Sequence, residues 1–402
     1  MKVVEINSGF HGSTGTIMLS IADKVRSMGN EAYTFSELKS KIAPTGHYFF
    51  GSKIENILHR GISVLSGISG KGSKYGTKEL IKQLDTIHPD ILHLHNLHGW
   101  YINIPMLFEY IKKNNIKTVW TLHDCWGFTA QCSHFTMEKC EKWKTGCYDC
   151  PRYKIYPYTL VDRTKKMWHL KKTWFSNVEN MVIVTPSEWL SKLVKQSFLS
   201  DYPVRVINNG IDLDVFKPTN SDFRKEYGIE DKKIVLGVAS DWNERKGLDV
   251  FFYLAETLPR EYKIVLVGTN AEIDKSLPEK ILSIHRTQNQ EELAKIYTAA
   301  DVFVNPTREE NFPTVNIEAL ACGTPIVTFK TGGSPEILDA STGRVVAYND
   351  ILGLKNEIIR VCTEEKLEQL SCIERSKLFS ADSKYGEYIA LYNDLIRRSV
   401  NR

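Results

Sequence analysis

The amino-acid sequence predicts an α/β protein of two doubly wound parallel sheets, and three observations predict it. Short runs rich in aliphatic and β-branched residues alternate with amphipathic stretches, the alternation breaks and restarts near residue 233, and a turn-rich segment separates the two series. In the first series the strand patterns are 2–7, 91–95, 117–122, 181–185 and 204–207, separated by helical patterns such as 14–29, 77–87 and 104–114. Strands that alternate with helices pair in parallel, because each helix carries the chain back to the same end of the sheet. Asn209-Gly210 is a turn pair and Pro218-Thr219-Asn220-Ser221 a linker or helix start, which places a boundary within 208–222. The second series runs through 233–239, 263–267, 301–304, 325–328 and 344–347. The expected domains are 1–207 and 208–380, followed by a helical segment 381–402. In that segment Tyr385, Tyr388, Leu391, Tyr392 and Leu395 recur at helical spacing and suit packing back on the first domain. Ligands of such sheets sit outside the carboxyl ends of the strands, so a cleft faced by both domains is the expected site.

With 402 residues, 42% hydrophobic and 25% charged, the chain has apolar material for two cores and none of the bias of a disordered or repetitive segment. A net charge of +4 is too small to mark a nucleic-acid binder. No stretch reaches the roughly 18 to 20 apolar residues that cross a bilayer. Met1-Lys2-Val3-Val4-Glu5-Ile6-Asn7 has a strand pattern and not that of a secretion signal. The expected location is the cytoplasm, with any membrane role peripheral, on the inner face of the plasma membrane.

The chemistry concentrates in Glu310-Asn311-Phe312-Pro313-Thr314-Val315-Asn316-Ile317-Glu318. Pro is favoured at a helix start, where its missing N–H would be unpaired anyway, so Pro313 predicts a loop ending near Phe312 and a helix to about Ala321. Glu310 then sits on the loop and Glu318 within the helix. The helix-start N–H groups suit a diphosphate, and the two carboxylates suit sugar and ribose hydroxyls. Alone, the pair also fits a capped surface helix with two ordinary acids. With its flanks it resembles a known signature: the E-x7-E of family 4 retaining glycosyltransferases, continued by Ala319-Leu320-Ala321-Cys322-Gly323-Thr324-Pro325 and Gly332-Gly333-Ser334-Pro335-Glu336. Asn209-Gly210-Ile211-Asp212 and Lys246-Gly247 agree with that family, and the likeness is greatest to bacterial transferases of the colanic-acid and O-antigen type.

The resemblance implies a GT-B fold, two Rossmann-like domains facing a central cleft, and a set of roles. Lys246 binds the donor diphosphate, with Arg245 as the neighbouring cation, because the Arg that the family places five residues before the lysine is here Asp241. The helix-start N–H groups of Thr314 and Val315 and the close backbone of Gly332 and Gly333 also serve the donor. Glu318 takes the ribose hydroxyls, Glu310 a hydroxyl of the transferred sugar, and Arg286 lies near the base. In the first domain His123, in Thr121-Leu122-His123-Asp124, reaches the transferred sugar. The loop with Gly12, Ser13, Thr14 and Gly15 opens a helix and faces an anion or acceptor sugar, although as a phosphate motif it lacks both the G-x-G-x-x-G spacing and a P-loop lysine. His93, His95 and His98 look metal-like, but alternation along a strand favours cleft lining or packing. No metal or covalent nucleophile is required: the acceptor hydroxyl attacks from the face the phosphate leaves.

A Cys-rich basic insertion spans about 125–175. Cys132, Cys140, Cys147 and Cys150 suit a structural zinc in a reducing compartment, against free thiols in a loop. Lys and Arg residues interleaved with Trp143, Trp168, Trp174, Tyr153, Tyr156 and Tyr158 suit an anionic bilayer surface, or equally a solvated face above core aromatics. The expected protein is a retaining glycosyltransferase that moves a sugar from a nucleotide-sugar donor to a growing bacterial surface glycan, polyprenyl-diphosphate-linked. The alternative, motivated by Asp241, is a non-catalytic relative that binds a sugar nucleotide or partner enzyme as an assembly subunit.

Overall fold

The computed structural model describes residues 1–37, 43–365 and 367–400. The chain divides into two compact units, Met1–Asn208 together with the segment from Lys384, and Asn209–Ser383. The first carries strands β1 (Lys2–Ile6), β2 (Glu31–Glu37), β3 (His47–Phe50), β4 (Ile91–Leu94), β5 (Thr118–Thr121), β6 (Met181–Thr185) and β7 (Val204–Val206). They form one parallel sheet in the order β3-β2-β1-β4-β5-β6-β7. The second carries β8 (Lys233–Val238), β9 (Tyr262–Val267), β10 (Ile281–Ile284), β11 (Val302–Asn305), β12 (Ile326–Phe329) and β13 (Gly343–Val346). Their parallel order is β10-β9-β8-β11-β12-β13. In both sheets the winding reverses, between β1 and β4 and between β8 and β11, and each reversal opens a crevice at the strands' carboxyl ends.

Helices cover both faces of each sheet, so the central strands are apolar along their whole length. All of β6 and all of β12 are buried. In the second unit, alternate residues divide between two cores. Ile234, Leu236, Val265 and Phe303 enter one cluster, while Val235, Ile264, Leu266, Val302 and Val304 enter the other, on the opposite face. The first unit centres on a cluster with Trp120, Phe108, Phe128 and Phe175.

Three strands, β2, β3 and β10, fall outside the predicted set. β3 and β10 are edge strands of four residues each, and β10 has one buried residue in four. β2 begins and ends in Glu. The terminal helix Ala381–Val400 is fixed to the first sheet by polar contacts. The Tyr392 hydroxyl lies 2.7 Å from His93 Nδ1, and the Tyr388 hydroxyl 3.1 Å from Thr121 Oγ1. Tyr385, Tyr388 and Tyr392 are buried, and Leu391 and Leu395 half-buried.

Candidate active site

The loops that follow β8 and β11 meet because those strands are neighbours. After β8, Asn243 caps a short 3-10 turn, Glu244–Lys246, by accepting the Lys246 N–H at 3.1 Å. Gly247 follows at φ +78°, and a Cβ there would stand 2.7 Å from Pro306 Cγ, so a side chain at this position would separate the two loops. Arg308, 6% exposed, ties them together. Its guanidinium donates to both Asp249 oxygens at 2.7 Å, to Asn349 Oδ1 at 2.9 Å and to the Glu244 carbonyl at 2.5 Å. Its N–H donates to the Arg245 carbonyl at 2.8 Å.

This frame sets Lys246 Nζ 2.7 Å from Glu310 Oε2, with both side chains less than a fifth exposed. Glu310 Oε1 also accepts the Asn311 N–H at 3.1 Å. A third loop, after β12, packs on the backbone of Glu310 and Asn311. Gly332 adopts φ +54°, and a Cβ there would stand 1.9 Å from the Glu310 carbonyl oxygen. The Gly333 N–H donates to the Asn311 carbonyl at 2.7 Å. The Asn209 side chain donates to the Phe312 carbonyl at 2.9 Å, which joins the Asn-Gly turn to the same loop.

The helix starts one residue later than expected, at Thr314, with Pro313 as its N-cap residue and no side chain capping its first turn. Its N–H groups at Thr314 and Val315 therefore keep the partial positive charge of an uncapped helix start. Glu318, one turn on, accepts from the Tyr297 hydroxyl at 3.1 Å. Burial pushes its carboxyl up to about 7, against the opposing hydrogen bonds from Tyr297 and Thr314. Arg245 donates to the Glu309 carbonyl at 3.1 Å. Asp241, at the departure from the family pattern, is exposed and accepts from Asn243 Nδ2 at 2.9 Å. Arg286 lies exposed in the loop after the edge strand β10, beside His285, which pairs with Asp274 at 2.6 Å.

In the first unit the corresponding crevice lies at the ends of β1 and β4. Buried Asn7 donates to the Gly9 carbonyl at 2.8 Å and to Thr14 Oγ1 at 3.3 Å, and accepts the Asn96 N–H at 3.2 Å. It holds the start of the helix Gly12–Ser27, where Gly12 and Ser13 are exposed. Gly15 packs on the preceding chain, since a Cβ there would stand 2.3 Å from the Phe10 carbonyl carbon.

His123 lies at the end of a buried chain of side chains. Its Nε2 is 3.0 Å from His95 Nδ1, and His95 Nε2 is 3.0 Å from Glu5 Oε2. Burial pushes Glu5 well above the usual carboxylate range, lowers both His93 and His95, and brings His123 down to about 4. The imidazoles are therefore neutral near pH 7. Among the described residues, Glu5, His93 and His95 form the one group of three possible metal ligands within 4.8 Å of one another. Their nitrogens are engaged with Thr121, Tyr392, His123 and Glu5 itself, as a hydrogen-bonded network is. His98 bonds Asp124 at 3.1 Å. Burial raises the Asp124 carboxyl, but His98, His134 and the Trp126 N–H outweigh it and hold it at about 2.

The two halves of the sequence match two adjoining families. Residues 18–215 match Glycosyltransferase Family 4, and residues 219–378 match Glycosyl transferases group 1. The chain belongs to glycosyltransferase family 4. Over 321 residues it is 26% identical to a colanic acid biosynthesis glycosyl transferase of Escherichia coli (strain K12), covering 77% of this chain and 78% of that one. Sucrose-phosphate synthase of Thermosynechococcus elongatus superposes with a TM-score of 0.76 at 15% identity over 99% of both chains. Anabaena Alr3699/HepE, solved with UDP and glucose, superposes at 0.66 and 13% identity over 98% of this chain and 100% of that one. These structures show the GT-B fold.

In this family 4 enzyme much of the 125–175 insertion packs into the core of the first unit. The cysteines share one insertion, yet no three of their sulfurs form a ligand group within 4.8 Å. Burial pushes the Cys147 thiol up to about 12 and raises Cys132 and Cys150. Buried Lys171 is the insertion's internal cation, donating to the Trp126 carbonyl with its ammonium 3.5 Å from the Trp126 ring centroid. Burial brings it down to about 7. Trp143, Trp168 and Trp174 are core residues at 1%, 4% and 8% exposure, because their rings fill the space beneath the helix Thr164–Phe175. They leave Tyr156, 51% exposed, among the aromatics expected at a surface. The sequence does not single out Arg308, Asn7 and Glu5 as site-building residues, since each acts through a partner 59 to 90 positions away.

Proposed function

We propose that the protein is a retaining glycosyltransferase that takes a sugar from a nucleoside diphosphate donor and adds it to a growing bacterial surface glycan carried on polyprenyl diphosphate. The observation that carries the donor half is the Lys246–Glu310 pair at 2.7 Å, set at the crevice between β8 and β11 and closed by Gly332. A diphosphate leaving group gains negative charge as its bond to the sugar breaks, and a fixed ammonium beside an uncapped helix start stabilises that charge. Lys246 and the N–H groups of Thr314 and Val315 take this role, with Arg245 beside them. Glu310 and Glu318 accept hydroxyls of the sugar and the ribose.

In the retaining step, the acceptor hydroxyl oxygen bonds to the anomeric carbon on the face from which the phosphate departs. The electrons of the breaking bond go to the phosphate oxygen, which takes the hydroxyl proton. Neutral His123, held by His95, binds a sugar hydroxyl and needs no charge of its own. Arg286 stays assigned to the surroundings of the base, and no metal is required. The surface-glycan acceptor is supported by the Escherichia coli relative named for colanic acid biosynthesis. A lipid-linked acceptor would hold the enzyme at the inner membrane face; among the described residues no helix is long and apolar enough to cross a membrane.

The test is a panel of UDP-, GDP-, dTDP- and ADP-sugars, read by thermal shift and by mass-detected transfer to a polyprenyl-diphosphate sugar, with the product's anomeric configuration read by NMR. One donor that stabilises the protein and is transferred with retained configuration is expected. An inverted product would sink the mechanism, and no binding by any donor would sink the site.

A further inference from the structure

The helix Lys53–Ser66 is built inside out. Its aliphatic side chains face solvent: Ile54 is 73% exposed, Ile57 69%, Leu58 60%, Ile62 62% and Leu65 67%. Its buried residues are His59 and Ser63. Polar bonds hold it to the body of the first unit. His59 Nδ1 lies 2.9 Å from Ser73 Oγ, and His59 Nε2 accepts the Gly70 N–H at 3.2 Å. Both Glu55 oxygens accept backbone N–H groups, of Tyr75 at 2.7 Å and Gly76 at 3.0 Å. The five aliphatic positions fall at i, i+3, i+4, i+8 and i+11, one continuous stripe of a helix about 21 Å long. The stripe continues onto the neighbouring chain, where the Leu160 N–H donates to the Val64 carbonyl at 2.8 Å and Leu160 and Val161 are 60% and 41% exposed.

The border of this stripe is basic. Lys53 and Arg60 lie together on one flank of the helix, and Lys74 opens the helix that receives Glu55. Arg163 lies against Gly67 at the far end, where a Cβ would stand 2.8 Å from its Cγ. Arg60 is placed over the rings of Trp100 and Tyr158, at 5.3 and 5.7 Å. The nearby carboxylates are already engaged: Glu55 as above, and Asp162 with the N–H groups of Cys150 and Thr164. An apolar stripe with cations and aromatic rings at its rim suits the headgroup region of a membrane, where a helix lies flat and sinks about 5 to 10 Å. A symmetric second copy would bring these cations toward their own counterparts.

We propose that the helix Lys53–Ser66, with Leu160 and Val161, is the surface by which this enzyme lies on an anionic lipid bilayer. The proposal deepens the reading of a membrane-carried acceptor and rests on it for its purpose, while its test does not depend on turnover. The full chain is floated with phosphatidylcholine vesicles, with and without phosphatidylglycerol, at low and high salt. Wild type should float with the anionic vesicles, less so at high salt, and remain unbound with neutral ones. Ile57→Glu/Ile62→Glu should reduce the bound fraction at least about tenfold with unchanged melting temperature and unchanged transfer to a water-soluble acceptor. Ile54→Ser/Leu65→Ser is the milder pair should the first fail to fold. Equal flotation of wild type and variants would overturn the proposal. So would a wild-type dimer in sedimentation that the variants dissociate, without vesicle binding, because the occupant would then be a second copy. Flotation as expected from a protein that turns over no donor would sink the donor-site reading and leave this one standing.

Discussion

Replacing Glu318 by Gln separates the cost of a buried carboxylate from its use. Burial lifts this carboxyl from 4.5 to about 7, against the hydrogen bonds from Tyr297 and Thr314. A carboxyl protonated more readily in the folded chain than in the unfolded one contributes its stability below the unfolded pKa and loses it as pH rises through the folded value. The shift of about 2.5 units, at 1.36 kcal/mol each, makes wild type about 3 kcal/mol less stable at pH 8 than if the group titrated normally, and about 1 kcal/mol at pH 5. Gln keeps the shape and an acceptor for Tyr297 but has no charge to bury. The stability of Glu318→Gln relative to wild type should therefore rise by about 2 kcal/mol between pH 5 and pH 8, read from urea midpoints followed across that range. Donor affinity should move the other way. Binding that uses the carboxylate draws off its proton, so wild-type affinity should fall about tenfold per pH unit below 7, and the variant should bind weakly at every pH. Parallel stability curves for the two proteins would refute the raised carboxyl, and a pH-independent donor affinity would refute its place at the ribose.

Lys246→Ala should lower kcat by about two to three orders of magnitude, the scale for one donor to a developing oxyanion, and a value within threefold of wild type in steady-state transfer would remove Lys246 from the site. Gly332→Ala forces a methyl into the Glu310 carbonyl at a positive φ, so it should cost at least about 2 kcal/mol in chemical denaturation and depress turnover as the Glu310 loop shifts. Arg308→Lys removes the planar fork that holds Asp249, Asn349 and the Glu244 carbonyl, with an expected loss of about 1 to 3 kcal/mol and a fall in kcat by displacement of Lys246; melting and kinetics on the same sample check both. Protein purified without chelator should carry less than one zinc per chain by elemental analysis, and stoichiometric zinc would show that the cysteines close into a site this conformation does not form.

Much of this molecule was legible along the chain. Each central strand is an apolar run bounded by turn residues, because burial on both faces leaves no room for alternation, and so most strands and both sheets could be read directly. Glu310, Pro313 and Glu318 were legible for the same local reason: a loop, a helix start and a first turn are fixed by a few consecutive residues. Edge strands β3 and β10 were not, since four apolar-leaning residues are too short a run to tell a strand from a buried helix turn. Only the tertiary structure decided which loops meet. Winding order brings the ends of β8 and β11 together, so that Lys246 reaches a carboxylate 64 residues away, and β1, β4 and β5 align Glu5, His95 and His123. Solvent exposure was likewise decided in three dimensions. Tryptophans among lysines, as in 143–174, suit surface anchors and core aromatics equally in a sequence, and burial makes them core. The stripe of Lys53–Ser66 has the period of any core-facing helix, and only its polar ties to Ser73, Gly70 and Gly76 turn it toward solvent. Periodicity states that a helix has an apolar side; which way that side faces depends on the partners the rest of the chain supplies.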